Sequence, residues 1–118
     1  DYLTIAQSPG VDVLDLHDYG PPGVPLPGST ADGVQRRLQQ AATARKPLVV
    51  AEMGQPAGSC RPLWARADDL ARKADAQRRA GSAGVLFWAF VPDPRLDQCT
   101  LDIGPDDPLF GVVKGLAG

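Results

Sequence analysis

The chain has 118 residues and a net charge of −2 at neutral pH, which suits one domain and shows no internal boundary. That mild acidity supplies no basic face for nucleic acid or an anionic membrane, and neither is expected as a partner. No apolar run approaches the roughly 20 residues of a membrane helix. No leader peptide is visible either, but the chain reads as starting mid-fold, so that says little about compartment.

Residues 1–6 read as the end of a helix, stopped by Ser8-Pro9-Gly10. A strand is predicted over 11–18, in the run Val11-Asp-Val-Leu-Asp-Leu-His-Asp18. The loop Gly20-Pro-Pro-Gly-Val-Pro-Leu-Pro-Gly28 is too rich in proline for regular structure. Ser29 to Gly33 offers capping groups for a helix over 31–45, with Val34, Leu38, Ala41 and Ala42 as its apolar stripe. Pro47 blocks that helix and opens a strand over 47–53. A helix over 64–80 follows, with Trp64, Ala67, Ala71 and Ala74 on one face. Arg66, Asp69, Arg72, Lys73 and Arg79 are expected to solvate its remainder, and Gly81 to end it. A third strand is predicted over 83–90. The loop 91–106 then leads to a short helix over 107–115 bearing Leu109, Phe110, Val112 and Val113. Asp93, Asp97, Asp102 and Asp106 read as turn and cap residues.

Strands alternating with helices argue for βαβ units and a parallel sheet, with both strand faces apolar. Residues two apart share a strand face. One consistent assignment turns His17, Tyr19, Glu52 and Trp88 to one side, with Val13, Asp15, Leu48 and Val50. It leaves Leu14, Leu16, Val49, Ala51, Val85 and Phe87 to receive the helices; Asp15 has no assigned role.

Glu52 is the most informative residue. A charge is costly to bury unpaired, so a carboxylate closing the apolar strand before Gly54 suggests a use for it. In parallel sheets the carboxyl ends of strands are where active sites lie. Cys60 and Cys99 fall in loops that follow two of these strands, and in a parallel barrel such loops are neighbours. A Cys60–Cys99 disulfide is therefore expected and would imply export, with two free thiols as the alternative. No metal site is expected, since the cysteines lack a histidine cluster, and no cofactor is called for.

Together these segments resemble the C-terminal part of a glycoside hydrolase family 5 type barrel, the cellulase/mannanase-like superfamily. His17-Asp-Tyr19 is similar to that family's H-x-Y at the sixth strand, and Lys46-Pro-Leu-Val-Val-Ala-Glu52 to its K-P-hydrophobic-E at the seventh. Gly84-Val-Leu-Phe-Trp88 is similar to the eighth strand, and Asp102 to Leu109 to the closing segment of some bacterial members. The resemblance spans the whole chain. It implies an α/β fold made of the last three βα units of a TIM (β/α)8 barrel, an incomplete barrel. It implies a secreted or cell-envelope retaining glycosidase acting on a β-linked oligo- or polysaccharide. In that reading Glu52 is the nucleophile, His17 and Tyr19 are its catalytic partners, and Trp88 is the sugar platform.

The family's acid/base Glu lies in an Asn-Glu motif, and this chain has no Asn. The chain therefore reads as a fragment carrying one carboxylate of a pair, inactive alone. Three strands cannot close a barrel of eight, so the missing N-terminal barrel half, or another copy of the chain, is the expected partner. Two other readings stand beside this one. The first is a non-catalytic carbohydrate-binding barrel fragment that holds sugar on Trp88 and Tyr19. The second is a free-standing flavodoxin-like domain, which the prolines of Gly20-Pro-Pro-Gly23 disfavour by removing phosphate-binding N–H groups.

Overall fold

A computed structural model describes residues 1–117. Its elements, in chain order, are α1 (Tyr2–Ala6), β1 (Leu14–Asp18), α2 (Val34–Ala44), β2 (Leu48–Met53), β3 (Ala57–Gly58), α3 (Leu63–Arg79), β4 (Gly84–Phe87), β5 (Cys99–Thr100) and α4 (Leu109–Leu116). β1, β2 and β4 form a three-stranded parallel sheet in that order, so α2 and α3 are the crossovers of two βαβ units. The expected α/β architecture is therefore present as an incomplete barrel-like sheet.

Leu14 of β1 and Leu48, Val50 and Met53 of β2 are buried in one core with Leu38 and Ala41 of α2 and Leu70 and Ala74 of α3. Here the face assignment needs correction. Leu48 and Val50 point to the helices, opposite to the parity expected, and Val49 lies on the other face in register with Asp15. The register then shifts. Leu16 pairs with Val50, but His17 pairs with Glu52, so Ala51 is an extra residue in β2. β4 meets the same irregularity between Val50 and Met53. Such a bulge reverses the alternation beyond it, and Glu52 emerges beside His17 rather than under the helices.

The expected solvation of α3 is also overturned. Arg66, Asp69 and Lys73 are buried, together with Gln77, while Trp64 is 69% exposed. The buried side is centred on Leu70 and Ala74, not on Trp64 and Ala71. The physical reason is that α3 lies under loops whose backbone groups need partners. Arg66 donates to the Asp102 carbonyl at 2.9 Å and pairs with Asp107, and Asp69 accepts from the Gly23 amide at 2.9 Å.

Several boundaries move for local reasons. Ser29 and Asp32 bond to each other in a turn, so α2 begins after Gly33 rather than at residue 31. β4 stops at Phe87, and the next peptide, Trp88–Ala89, is cis. Ala89 and Val91 then bond to the returning segment at Leu101 and Ile103. Asp102, read as a turn residue, is held by Arg95 through two bonds of 2.9 Å, which keeps its carboxyl well below the usual carboxylate range.

The loops after β2 and β4 are joined. β3 pairs antiparallel with β5, and Cys60 is disulfide-bonded to Cys99, with 5.2 Å between their Cα atoms. Both strands are two-residue pairings without a hydrophobic pattern of their own. Among the described residues, no helix is long and apolar enough to cross a membrane.

Among the described residues, nothing covers one face of the sheet. Leu86 is 59% exposed and Trp88 48%, on the side away from the helices. β1 and β4 are open edges, and an apolar trough of about 400 Å³ runs beside β4, lined in part by Val85, Phe87, Phe110 and Leu116. Open edges and apolar faces associate. We expect the isolated 118-residue chain to elute above its 12.4 kDa monomer mass on gel filtration, and a well-behaved monomer would contradict that. Replacing both cysteines by Ala releases a loop of 39-residue separation and should cost about 2–4 kcal/mol in denaturant unfolding; no change would refute a stabilising bridge.

Candidate active site

The bulge brings Glu52 to the end of β2 beside the end of β1. Tyr19, just past β1, donates its hydroxyl to Glu52 Oε2 at 2.5 Å. His17 Nδ1 lies 3.2 Å from the same oxygen, and its Nε2 lies 3.3 Å from Asp15 Oδ2. The imidazole thus bridges two carboxylates, which gives Asp15 the contact that sequence reasoning left unassigned. Among the described residues, both polar contacts of Glu52 fall on Oε2.

Tyr19 is a proton donor over the whole physiological range. Desolvation first, then its hydrogen bond to the Glu52 carboxylate and that group's charge, push its pKa from 10.0 up to about 12. A tyrosinate there would face a carboxylate across a hydrogen-bond distance, so the phenol keeps its proton. The sign is that of a raised pKa. The contact stabilises the fold below about pH 10 and is lost as pH rises through about 12.

Trp88 follows β4, its amide bonded to the Met53 carbonyl at 3.0 Å, which places it beside the end of β2. Its ring is half exposed. Gly54 sits between the two aromatic residues. A Cβ there would lie 2.9 Å from Tyr19 Cε1 and 3.1 Å from the Trp88 carbonyl oxygen. A side chain at 54 would therefore move Tyr19 off Glu52. Sequence reasoning read Gly54 only as the end of a strand.

Sequence reasoning also missed the underside of the site. Asp18, between His17 and Tyr19, points the opposite way and is buried. Lys73 Nζ lies 2.9 Å from both its oxygens, and Gln77 Nε2 donates to Oδ2 at 2.6 Å. Two signals were available. Asp18 shares parity with Leu14 and Leu16, and Lys73 and Gln77 are in helical phase with Leu70 and Ala74. Among the described residues, no cluster of three metal-ligating side chains forms.

Chemically, the site presents a carboxylate with one oxygen bonded by a phenol and beside an imidazole, and the other without a hydrogen bond among the described residues, at the carboxyl ends of parallel strands next to an exposed indole. We expect Gly54→Ala to destabilise the chain by about 1–3 kcal/mol through overpacking and to bring the Tyr19 titration down from about 12 towards 10. Urea unfolding and tyrosinate absorbance check the two effects, and an unmoved titration would show that Gly54 does not set the Tyr19 position.

No family model matches the chain, and no curated protein matches it by sequence. Among solved structures it is similar to a glycoside hydrolase family 5 mannosidase from Rhizomucor miehei and to a mutant of that enzyme. Each match has a TM-score of 0.50 at 14% identity and covers 70% of this chain but only 28% of that one. At that identity the likeness is one of fold alone, and this chain spans less than a third of the length of the structures it matches.

Proposed function

We propose that this chain is the C-terminal portion of a retaining β-glycoside hydrolase, with Glu52 as nucleophile. The observation that carries the proposal is the Glu52 carboxylate held through Oε2 by Tyr19 at 2.5 Å and His17 at 3.2 Å. A nucleophilic carboxylate must stay ionised and must present one oxygen to the anomeric carbon. Tyr19 donates to Oε2, and Oε1, without a hydrogen-bond donor among the described residues, is left to attack. Tyr19 orients the carboxylate, and His17 couples it to Asp15. Trp88 stacks its face against the sugar, whose polarised C–H groups meet the negative π surface.

Retaining hydrolysis needs a second carboxyl group about 5–5.5 Å away to protonate the leaving oxygen and then activate water. Glu52 is the chain's only glutamate. We assign the acid/base to a part of the barrel outside these residues, supplied by the rest of the polypeptide or by another copy of the chain. That piece would pair with the open edges of β1 and β4 and cover the exposed sheet face. The substrate is a β-linked oligo- or polysaccharide, and the Cys60–Cys99 disulfide supports an exported setting.

The test uses the complete polypeptide that contains this chain, acting on β-glucan and β-mannan oligosaccharides. Glu52→Gln should lower kcat by roughly 10³-fold or more while oligosaccharide still binds, as read by calorimetric titration. Trp88→Ala should weaken sugar binding several-fold, on the order of 1 kcal/mol. Sugar binding without turnover by the parent would favour the non-catalytic binding module instead.

A further inference from the structure

We propose that the buried Asp18–Lys73–Gln77 network is a positioning device that sets His17 and Tyr19 against Glu52, rather than a support of the fold. Asp18 Oδ1 accepts from the Gly20 amide at 2.8 Å and from Lys73 Nζ at 2.9 Å. Its Oδ2 accepts from Lys73 at 2.9 Å and Gln77 at 2.6 Å. The same two donors reach the Gly20 carbonyl at 3.2 Å and the Pro25 carbonyl at 3.1 Å. One anchor therefore ties the end of β1 and the start of the proline-rich loop to α3.

Energy alone does not account for this arrangement. The Lys73 and Asp18 side chains are 1% and 0% exposed, so both charges are fully desolvated. Replacing such a pair by apolar groups of similar size is often neutral or stabilising. Its geometric effect is specific, however. Neighbouring strand residues point to opposite faces, so fixing Asp18 under α3 fixes the rotation of β1 at that point. His17 and Tyr19 are then held on the other face, in reach of Glu52. Beyond residue 18 there is no ladder to do this, because the next sheet bond, from the Gly54 amide to the Asp18 carbonyl, is the last.

The catalytic meaning of this device rests on Glu52 being the nucleophile, but the test reads geometry without sugar or turnover, so the two ideas fail separately. It uses the full chain in its native assembly, with Tyr2→Phe, and the matching Tyr19→Phe protein as a blank, so that the difference between the two isolates Tyr19. Tyrosinate absorbance after a rapid jump to high pH reports the Tyr19 titration, which desolvation at this position and then its contact with Glu52 raise to about 12. The variant Asp18→Leu/Lys73→Met/Gln77→Leu should unfold cooperatively near the parent temperature yet titrate at least tenfold more readily, towards 10. Gln77→Leu alone should show a smaller step in the same direction. A folded triple variant with the parent titration would overturn the proposal. So would a triple variant that fails to fold, since the network would then be structural, and so would an unmoved titration in Gln77→Leu.

Discussion

β2 turns Leu48 and Val50 to the helices, and unbroken alternation would send Glu52 the same way, into an apolar core. Ala51 prevents this by adding one residue against β1, so that His17 pairs with Glu52 and Asp18 with Met53. A lone carboxylate in that core would be costly to keep ionised. On the open face it finds a phenol and an imidazole instead. The site therefore depends on a backbone irregularity, and the groups that attract chemical attention are placed by a residue with almost no side chain.

Around that irregularity the two faces of the sheet divide their tasks. The helix-facing side carries the apolar core and, at the strand ends, charges that are completely buried and paired: Asp18 with Lys73, and Arg66 with Asp107. The opposite side carries Asp15, His17, Tyr19 and Glu52, linked in one chain of contacts, with Leu86 and Trp88 exposed beside them. The disulfide and the β3–β5 pairing join the loops that leave β2 and β4. Loop closure is thus tied to the same two strands that position Glu52 and Trp88.

Much of this was legible in the sequence because it follows from periodicity and chain breakers. The βαβ rhythm, the strand at 47–53 after Pro47 and the helix ending near Gly81 follow from local pattern. The contact of Glu52 with His17 and Tyr19 followed from parity, but by a compensating error. The wrong face was given to Leu48 and Val50, and the bulge at Ala51, which no residue preference announces, restored the right one for Glu52. α3 was misread because hydropathy treats Arg66, Asp69 and Lys73 as solvent-facing. Their partners are loop carbonyls, loop amides and Asp18, all distant in sequence and invisible to a local window. The short strands β3 and β5 were missed because two-residue pairings carry no period.

The likeness to a solved family 5 mannosidase is one of fold and carries no chemistry. The proposed chemistry rests on Glu52, whose Oε2 accepts from Tyr19 while Oε1 has no hydrogen bond among the described residues. The most direct measurement is covalent trapping. The complete polypeptide is incubated with a 2-deoxy-2-fluoro-β-glycoside bearing a good leaving group, digested, and mapped by mass spectrometry. The account predicts a single fluoro-sugar adduct on the peptide that contains Glu52. An adduct on any other carboxylate would contradict it.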